Sequence, residues 1–194
     1  DASVGYRHRN TSFETDGARI RQNPQAPGLY RPDTDDQFIN VGVRGEIGAK
    51  TTGEIRVGIQ ERDFNTPGVK DEDLLSVDAR AVWQATEKSN LSVLFSRDFN
   101  ADSSGTSIES SDFQVGGSTA LQENLTGFAN IRFSKDDYQG GRSDDGLYGQ
   151  VGVTFSPSSN TAVSVAYVIY NNSSDFIPAD FDNSVFNISG TLRF

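Results

Sequence analysis

Several residue types that commonly carry chemistry are absent, or nearly so, from this chain of 194 residues. There is no cysteine, which excludes disulfides, thiolate metal sites and a cysteine nucleophile. There is one histidine, His8, which excludes a metal site built from several imidazoles. Hydrophobic residues make up only 35% of the chain, and no stretch approaches the roughly 18 consecutive apolar residues of a membrane helix.

The charge balance is acidic, since 27 Asp and Glu face 17 Lys and Arg and give a net charge of −10. This sign argues against binding to the phosphates of a nucleic acid, so no nucleic-acid partner is expected. A polar average of this kind is typical of a disordered chain, of a polar soluble β-protein, or of a transmembrane β-barrel in which only alternate residues meet lipid. The periodicity of the sequence has to decide among the three.

Apolar and polar side chains alternate with a period of two along most of the chain. In segment 162–170, for example, Val163, Val165, Tyr167 and Ile169 share one face. This alternation predicts strands and requires no helix. Ten strands are predicted, near residues 2–13, 36–48, 53–64, 74–86, 91–101, 108–121, 125–138, 146–156, 160–171 and 183–194.

The connections alternate strictly between short and long, which is the layout of outer-membrane barrels, with short periplasmic turns and longer extracellular loops. A soluble sandwich, the competing fold, has no reason to segregate its loops in this way. We therefore predict an all-β, antiparallel up-and-down transmembrane β-barrel in the bacterial outer membrane. About ten strands lie in this chain, which is either a closed barrel or the C-terminal part of a larger one. The single domain covers residues 1–194, with long loops near 14–35, 65–73, 102–107, 139–145 and 172–182.

The strand ends carry aromatic residues, as the interfacial girdles of a membrane barrel do. An extra residue around Gln60 and Glu61, relative to the neighbouring hairpin repeat, predicts a β-bulge there. The girdle residues predicted at the long-loop rim are Phe64, Phe99, Phe113, Tyr138 and Tyr170, and those at the short-turn rim are Trp83, Phe155 and Phe194.

The last residues, 187–194, resemble the C-terminal strand by which bacterial outer-membrane proteins are recognised for assembly, with Gly190, Leu192 and Phe194 in the signal. The repeated hairpins, with turns such as 85–92 and rim segments such as 96–99, resemble the outer-membrane family called putative beta-barrel porin 2, which is associated with exopolysaccharide and capsule genes. The resemblance implies a porin-like channel of the Gram-negative envelope that transports polar solutes or exported polysaccharide. It also implies the lipid bilayer, lipopolysaccharide and the barrel-assembly machinery as partners.

If the apolar face of each strand meets lipid, the opposite face points into the barrel and carries charges of both signs. Such charges need partners or water, so the interior is either a salt-bridged plug or a narrow watered passage. Both remain open at this point. The residues predicted to line the lumen are Arg44, Glu46, Arg56, Asp78, Arg80, Asp98, Asp112 and Arg132.

Two other classes of function compete with a channel. An enzymatic barrel needs a general base, but His8 shares the lipid-facing side with Val4 and Tyr6 and its spacing supplies no partner, so no enzymatic activity is expected. A structural or adhesive barrel, or one subunit of an envelope assembly, is the other alternative. The loops are rich in Asp, but their spacing does not match a calcium-binding loop, so no metal site and no cofactor are predicted.

Overall fold

The computed structural model describes residues 1–12, 34–64, 71–101 and 107–193, and these form one antiparallel sheet. The chain is all-β, and the ten strands were predicted to within a few residues. Their bounds are β1 Ala2–Thr11, β2 Thr34–Glu46, β3 Thr51–Phe64, β4 Glu72–Thr86, β5 Ser89–Ala101, β6 Ser107–Gln122, β7 Leu125–Tyr138, β8 Ser143–Ser158, β9 Thr161–Ser174 and β10 Phe181–Leu192.

Each strand pairs with the next one along the chain, so the topology is up-and-down. Turns of a few residues join β2 to β3, β4 to β5, β6 to β7 and β8 to β9 at what we call the short-turn end, and the other connections meet at the long-loop end. A single turn of 3-10 helix, Ile177–Ala179, precedes β10, and no helix of the described residues is long and apolar enough to cross a membrane.

Successive strands are shifted along their length in one direction. One row of paired residues passes through Ser3, at the short-turn end of β1, and reaches Phe181, at the long-loop end of β10. This drift is about one residue per strand, and with a rise of about 3.3 Å per residue and strands about 4.8 Å apart it corresponds to a tilt of roughly 35 to 40°. Transmembrane barrels have this tilt.

One face of the sheet is an exposed apolar band. Along β4 it runs from Leu75 to Trp83, which at this tilt spans about 21 Å between Cα atoms, close to the apolar band of about 25 Å that outer-membrane barrels present to lipid. Beyond the band, toward the long loops, the same face carries Glu61, Asp63 and Lys135. The bilayer surface therefore lies at this change from apolar to charged side chains.

The aromatic girdle is partly as predicted. Phe113 is exposed on the apolar face in a row with Phe95 and Phe133, next to the charged boundary, and Trp83 and Phe155 are exposed at the opposite boundary. Three predicted girdle residues are placed wrongly: Phe64 and Phe99 are buried, and Tyr170 faces Tyr148 on the polar side. Tyr138 lies at the long-loop end of β7, beside Arg142, and Phe194 lies outside the described residues.

The predicted bulge near Gln60 is also absent, because β3 pairs with β2 and β4 there without a shift in register. The register shifts among the described residues lie next to three of the short turns instead, one of them between Gln84 and Thr86.

The buried residues gather mainly at the long-loop end, between the polar face of β2 to β4 and the ends of β5 and β6. In β3, buried Gln60, Arg62 and Phe64 alternate with exposed neighbours. The outer strands differ from this packed region. All of β10 is exposed, and among the described residues neither β1 nor β10 has a second strand partner, so each leaves one backbone edge unpaired.

Candidate functional site

The polar face of the sheet is the candidate site, because the opposite face carries the apolar band that a lipid bilayer covers. One row of paired residues crosses its centre from β2 to β10. We call it the central row. Its members are Arg44, Glu54, Arg80, Leu94, Gln114, Arg132, Tyr148, Tyr170 and Asn183.

The charged part of this face lies on β1 to β7 and contains all eight residues predicted to line the lumen. The structure brings Asp112 and Arg132 together directly, with Nε of the arginine 2.9 Å from a carboxylate oxygen. Asp98 and Arg56 meet partners outside the predicted set: Asp98 lies 3.8 Å from Arg7, and Arg56 pairs with Glu54. Position on the polar face agrees with a lumen-lining role, which itself stays a prediction.

The other four residues of the set, Arg44, Glu46, Asp78 and Arg80, have exposed side chains on the part of the polar face nearer the short turns. Within the described ranges, none of the four forms an ion pair. Their charges are exposed on this part of the polar face.

A buried ionic cluster at the long-loop end is the main feature that the sequence did not reveal. Arg9, Asp36 and Arg62 are paired neighbours on β1, β2 and β3. Nε and Nη2 of Arg62 donate to the two carboxylate oxygens of Asp36 at 2.6 and 2.9 Å, and Arg9 donates to the same carboxylate. Asp36 is buried, and the outward-facing residues beside its partner on β3, Glu61 and Asp63, are charged, so the cluster lies beyond the apolar band.

The pKa of the Asp36 carboxyl reflects two opposing effects. Burial alone would raise this pKa, but the hydrogen bonds and charges of Arg62 and Arg9 outweigh it and hold the pKa below its ordinary value. Asp36 is therefore ionised throughout the physiological pH range. The two arginines compensate the buried carboxylate, and removing Asp36 would leave Arg62 as an unpaired buried charge.

A second buried carboxylate lies at the same end of β8. The hydrogen bond from Arg142 lowers the pKa of Asp144, burial opposes it, and Ser174 Oγ donates a further hydrogen bond at 2.5 Å. Nearby, burial and the charge of Asp144 raise the pKa of Tyr138. Asp36 thus bonds the long-loop ends of β1 to β3 together, and Asp144 does the same for β8 and β9.

Acidic side chains also line a cavity of about 550 Å³ at this end. It is walled by Glu72, Glu109 and Asp137 together with Phe99 and Ser107. Within the described parts of the chain no group of three or more His, Asp or Glu has an arrangement that could hold a metal ion. His8 has a partner that spacing did not predict, since its Nε2 lies 2.5 Å from Asp35.

The polar face changes character on β8 to β10, where the central row has no charge. Tyr148 and Tyr170 meet edge to face, with ring centroids 5.1 Å apart. The Tyr148 hydroxyl donates to Gln150 Oε1 at 2.8 Å, and Asn183 follows Tyr170 in the row. One side of the site is thus charged, and the other is aromatic and amide-rich.

Comparisons with known proteins agree with this architecture. A family model described as Putative beta-barrel porin 2 matches residues 13–194. Among solved structures, the chain is similar to OmpTdeltaL8, a loop L8 deletion mutant of the Vibrio cholerae outer membrane protein OmpT, with a TM-score of 0.56 and 12% identity over 98% of this chain and 75% of that one. In-vitro folded OmpT of Vibrio cholerae gives a TM-score of 0.54 and 10% identity, over 98% and 76% of the two chains. At such identities the likeness concerns the fold alone. No curated protein matches the chain.

Proposed function

The chain belongs to the Putative beta-barrel porin 2 family of the bacterial outer membrane, and from this premise we propose that it forms a passive, porin-like channel for polar solutes. The observation that carries the proposal is the central row, in which charged and polar side chains cross the sheet opposite a lipid-facing apolar band. Charges of both signs, several without ion-pair partners among the described residues, suit a watered passage better than a dry plug.

The solute class that we favour within this function is a saccharide, free or as part of an exported polysaccharide. A sugar ring has an apolar C–H face and a rim of hydroxyls. Tyr148 and Tyr170 offer aromatic surface for the first, and Gln150 and Asn183 offer amide donors and acceptors for the second. The charged wall formed by Arg80 and Asp78 would hold the water through which ions and charged groups pass.

The partners that we propose follow from the surfaces. The apolar band is the surface for lipid, and the charged boundary above it is the surface for lipopolysaccharide headgroups. Gly190 and Leu192 lie on exposed β10, where the barrel-assembly machinery could bind an unpaired edge, while Phe194 of the predicted signal is outside the described residues.

The free edges of β1 and β10 bear on the width of the channel. Backbone groups without partners cost several kcal/mol each in hydrocarbon, so both edges must be paired in the membrane. A ring of ten strands predicts a narrow lumen largely filled by side chains, whereas pairing with further strands predicts a glycan-sized passage. Single-channel conductance distinguishes the two widths.

Conductance in planar bilayers and oligosaccharide uptake by proteoliposomes test the proposal. We expect an ion current and sugar uptake, and we expect Tyr170→Ala to reduce the uptake. Tyr167→Ala is the matched control, because Tyr167 lies on the same strand but faces lipid. A purified, folded barrel that gives neither current nor uptake would favour the structural or adhesive alternative. Hydrolysis of lipopolysaccharide or peptides by that barrel would favour an enzyme.

A further inference from the structure

The ends of β5 and β6 leave the sheet near the long loops. Pairing between β4 and β5 ends at Val77 and Arg97, whereas pairing between β5 and β6 continues to Ala101 and Ser107. Beyond Arg97, β6 is the one strand among the described residues that still pairs with β5. The Oγ of Ser76 caps the point of separation by donating to the Arg97 carbonyl at 2.9 Å.

The separated strand ends lie across the polar face of β3 and β4. Strict alternation would turn Phe99 and Ser107 toward the outside, yet Phe99 is 4% exposed and Ser107 is 2% exposed. The Phe99 N–H, which donates to Asp98 Oδ1 at 2.8 Å, also lies 3.5 Å from Gln60 Oε1. Ser107 Oγ donates to Glu72 at 2.9 Å. Gln60 and Glu72 both belong to the polar face, so the two strand ends have bent inward over it.

Arg62 joins this bent hairpin to the sheet. Its Nη1 donates to the Asn100 carbonyl and to Ser107 Oγ, both at 2.9 Å, and its guanidinium lies 5.0 Å from the centre of the Phe99 ring. Its other donors are occupied by Asp36, so the side chain is fixed from behind. A planar fork that is 2% exposed and bonded on every side is a rigid connector.

We propose that Arg62 is the positioning residue that holds the ends of β5 and β6 across the polar face and thereby sets the width of the passage at the long-loop end. The width rests on the proposed channel function, whereas the position of the hairpin does not. Arg62 is surrounded by Asp36 and Arg9 on the sheet side and by Phe99 and Ser107 on the hairpin side. The clamp is thus built from described residues on β1 to β6.

Thiol labelling tests the position without requiring any transport. Because the chain has no cysteine, Leu74→Cys introduces the only thiol, at a site that is 2% exposed and pairs with Gln60 beneath the hairpin. In folded protein in detergent micelles, we expect a charged methanethiosulfonate reagent to react slowly. Adding Arg62→Met should raise the rate on the order of tenfold or more, because the cover is no longer held.

Two controls make this result specific. Asn187→Cys, on exposed β10, should react at one rate with or without Arg62→Met, and Arg80→Met should leave the rate at Leu74→Cys unchanged. Because Arg62→Met could prevent folding, Phe99→Ala and Ser107→Ala form a second variant that loosens the hairpin while leaving Arg62 paired with Asp36. If this folded variant leaves the thiol at Leu74→Cys as slow as before, the clamp is overturned.

Single-channel recording then tests the width. Variants that expose the thiol at Leu74→Cys should give a larger conductance than the parent protein. Exposure of the thiol with an unchanged conductance would overturn the assignment of the hairpin as the narrow point. If no variant and no parent protein gives a current, the channel function and the width both fail, while the labelling result still decides whether Arg62 holds the hairpin.

Discussion

The polar face of the sheet is buried at the long-loop end and exposed at the short-turn end. At the long-loop end, the polar face of β2 to β4 is packed, and Asp36 and Arg62 are buried with almost every donor and acceptor bonded. At the short-turn end, the same face is open, and Arg44, Asp78 and Arg80 project from it exposed. The same kinds of residue are buried and paired at one end and exposed at the other.

The difference arises from the hairpin of β5 and β6. Where it covers the polar face, charged side chains are removed from water and must pair with one another, since an unpaired charge there would cost several kcal/mol. Where it does not reach, water satisfies the charges and no pairing is needed. Burial, and not residue type, therefore decides which charges of this chain must be paired within the fold and which are left to water.

The largest expected effect that tests this comparison is on the buried pair. Asp36→Asn leaves Arg62 buried without a counter-charge and should lower the free energy of unfolding by about 3 to 5 kcal/mol. Asp112→Asn breaks the exposed pair with Arg132 and should cost about 1 kcal/mol or less. Urea unfolding in detergent micelles, followed by the fluorescence of the single tryptophan, measures both. Equal losses for the two variants would show that the two ends do not differ.

Glycine positions compare a packed site on the polar face with an open site on the apolar face, and the expected effect is smaller. A Cβ at Gly58 would lie 2.3 Å from the Ile39 carbonyl oxygen and 2.8 Å from the Phe38 ring, whereas a Cβ at Gly45 would meet nothing within 4 Å. Gly58→Ala should therefore cost about 1 to 3 kcal/mol, and Gly45→Ala should change the unfolding free energy by less than about 0.5 kcal/mol. The same urea titration compares them, and a tolerated Gly58→Ala would mean that the sheet relaxes at this position.

Most of the fold was predictable because its determinants are local. A period of two places each side chain on one of two faces, and loop length marks the two ends, so the strands and their order follow from the sequence. The position of Trp83 and Phe113 on the lipid side follows from the same alternation.

The buried cluster was not predictable, because its contacts join residues that are far apart in the sequence. Asp36 stands at the predicted start of β2, and its partner Arg62 lies 26 positions away on β3, a contact that no local pattern reveals. The inward bend at Arg97 reverses the facing of Phe99, and alternation cannot show where a strand leaves its sheet. Which charges are buried depends on that bend, so the sequence could name lumen candidates but could not separate the packed from the exposed ones.

Acid should weaken the packed end selectively. The folded-state pKa of Asp36 is held below its unfolded value of about 3.9, so the stability that it contributes is fully present above pH 4 and is lost as the pH falls through the folded pKa. Asp144 contributes with the same sign. When the unfolding free energy is measured from pH 7 to pH 2, it should decrease once the pH is lower than about 4. Asp36→Asn should make that fall shallower, and an unchanged slope would show that Asp36 is not coupled to folding.

The smallest effect on stability is expected at the open end, where the effect on function should be largest. Arg80→Gln and Asp78→Asn each remove an exposed charge that has no ion pair among the described residues, and should change the unfolding free energy by less than about 0.5 kcal/mol. In a salt gradient across a planar bilayer, the reversal potential should move toward cation preference with Arg80→Gln and toward anion preference with Asp78→Asn, because each variant leaves the opposite charge in excess beside the passage. The two variants control for each other, because a general distortion of the barrel would not shift the reversal potential in opposite directions for the two charges. A loss of stability without a shift in reversal potential would place these two residues with the packed end and remove the distinction between the ends.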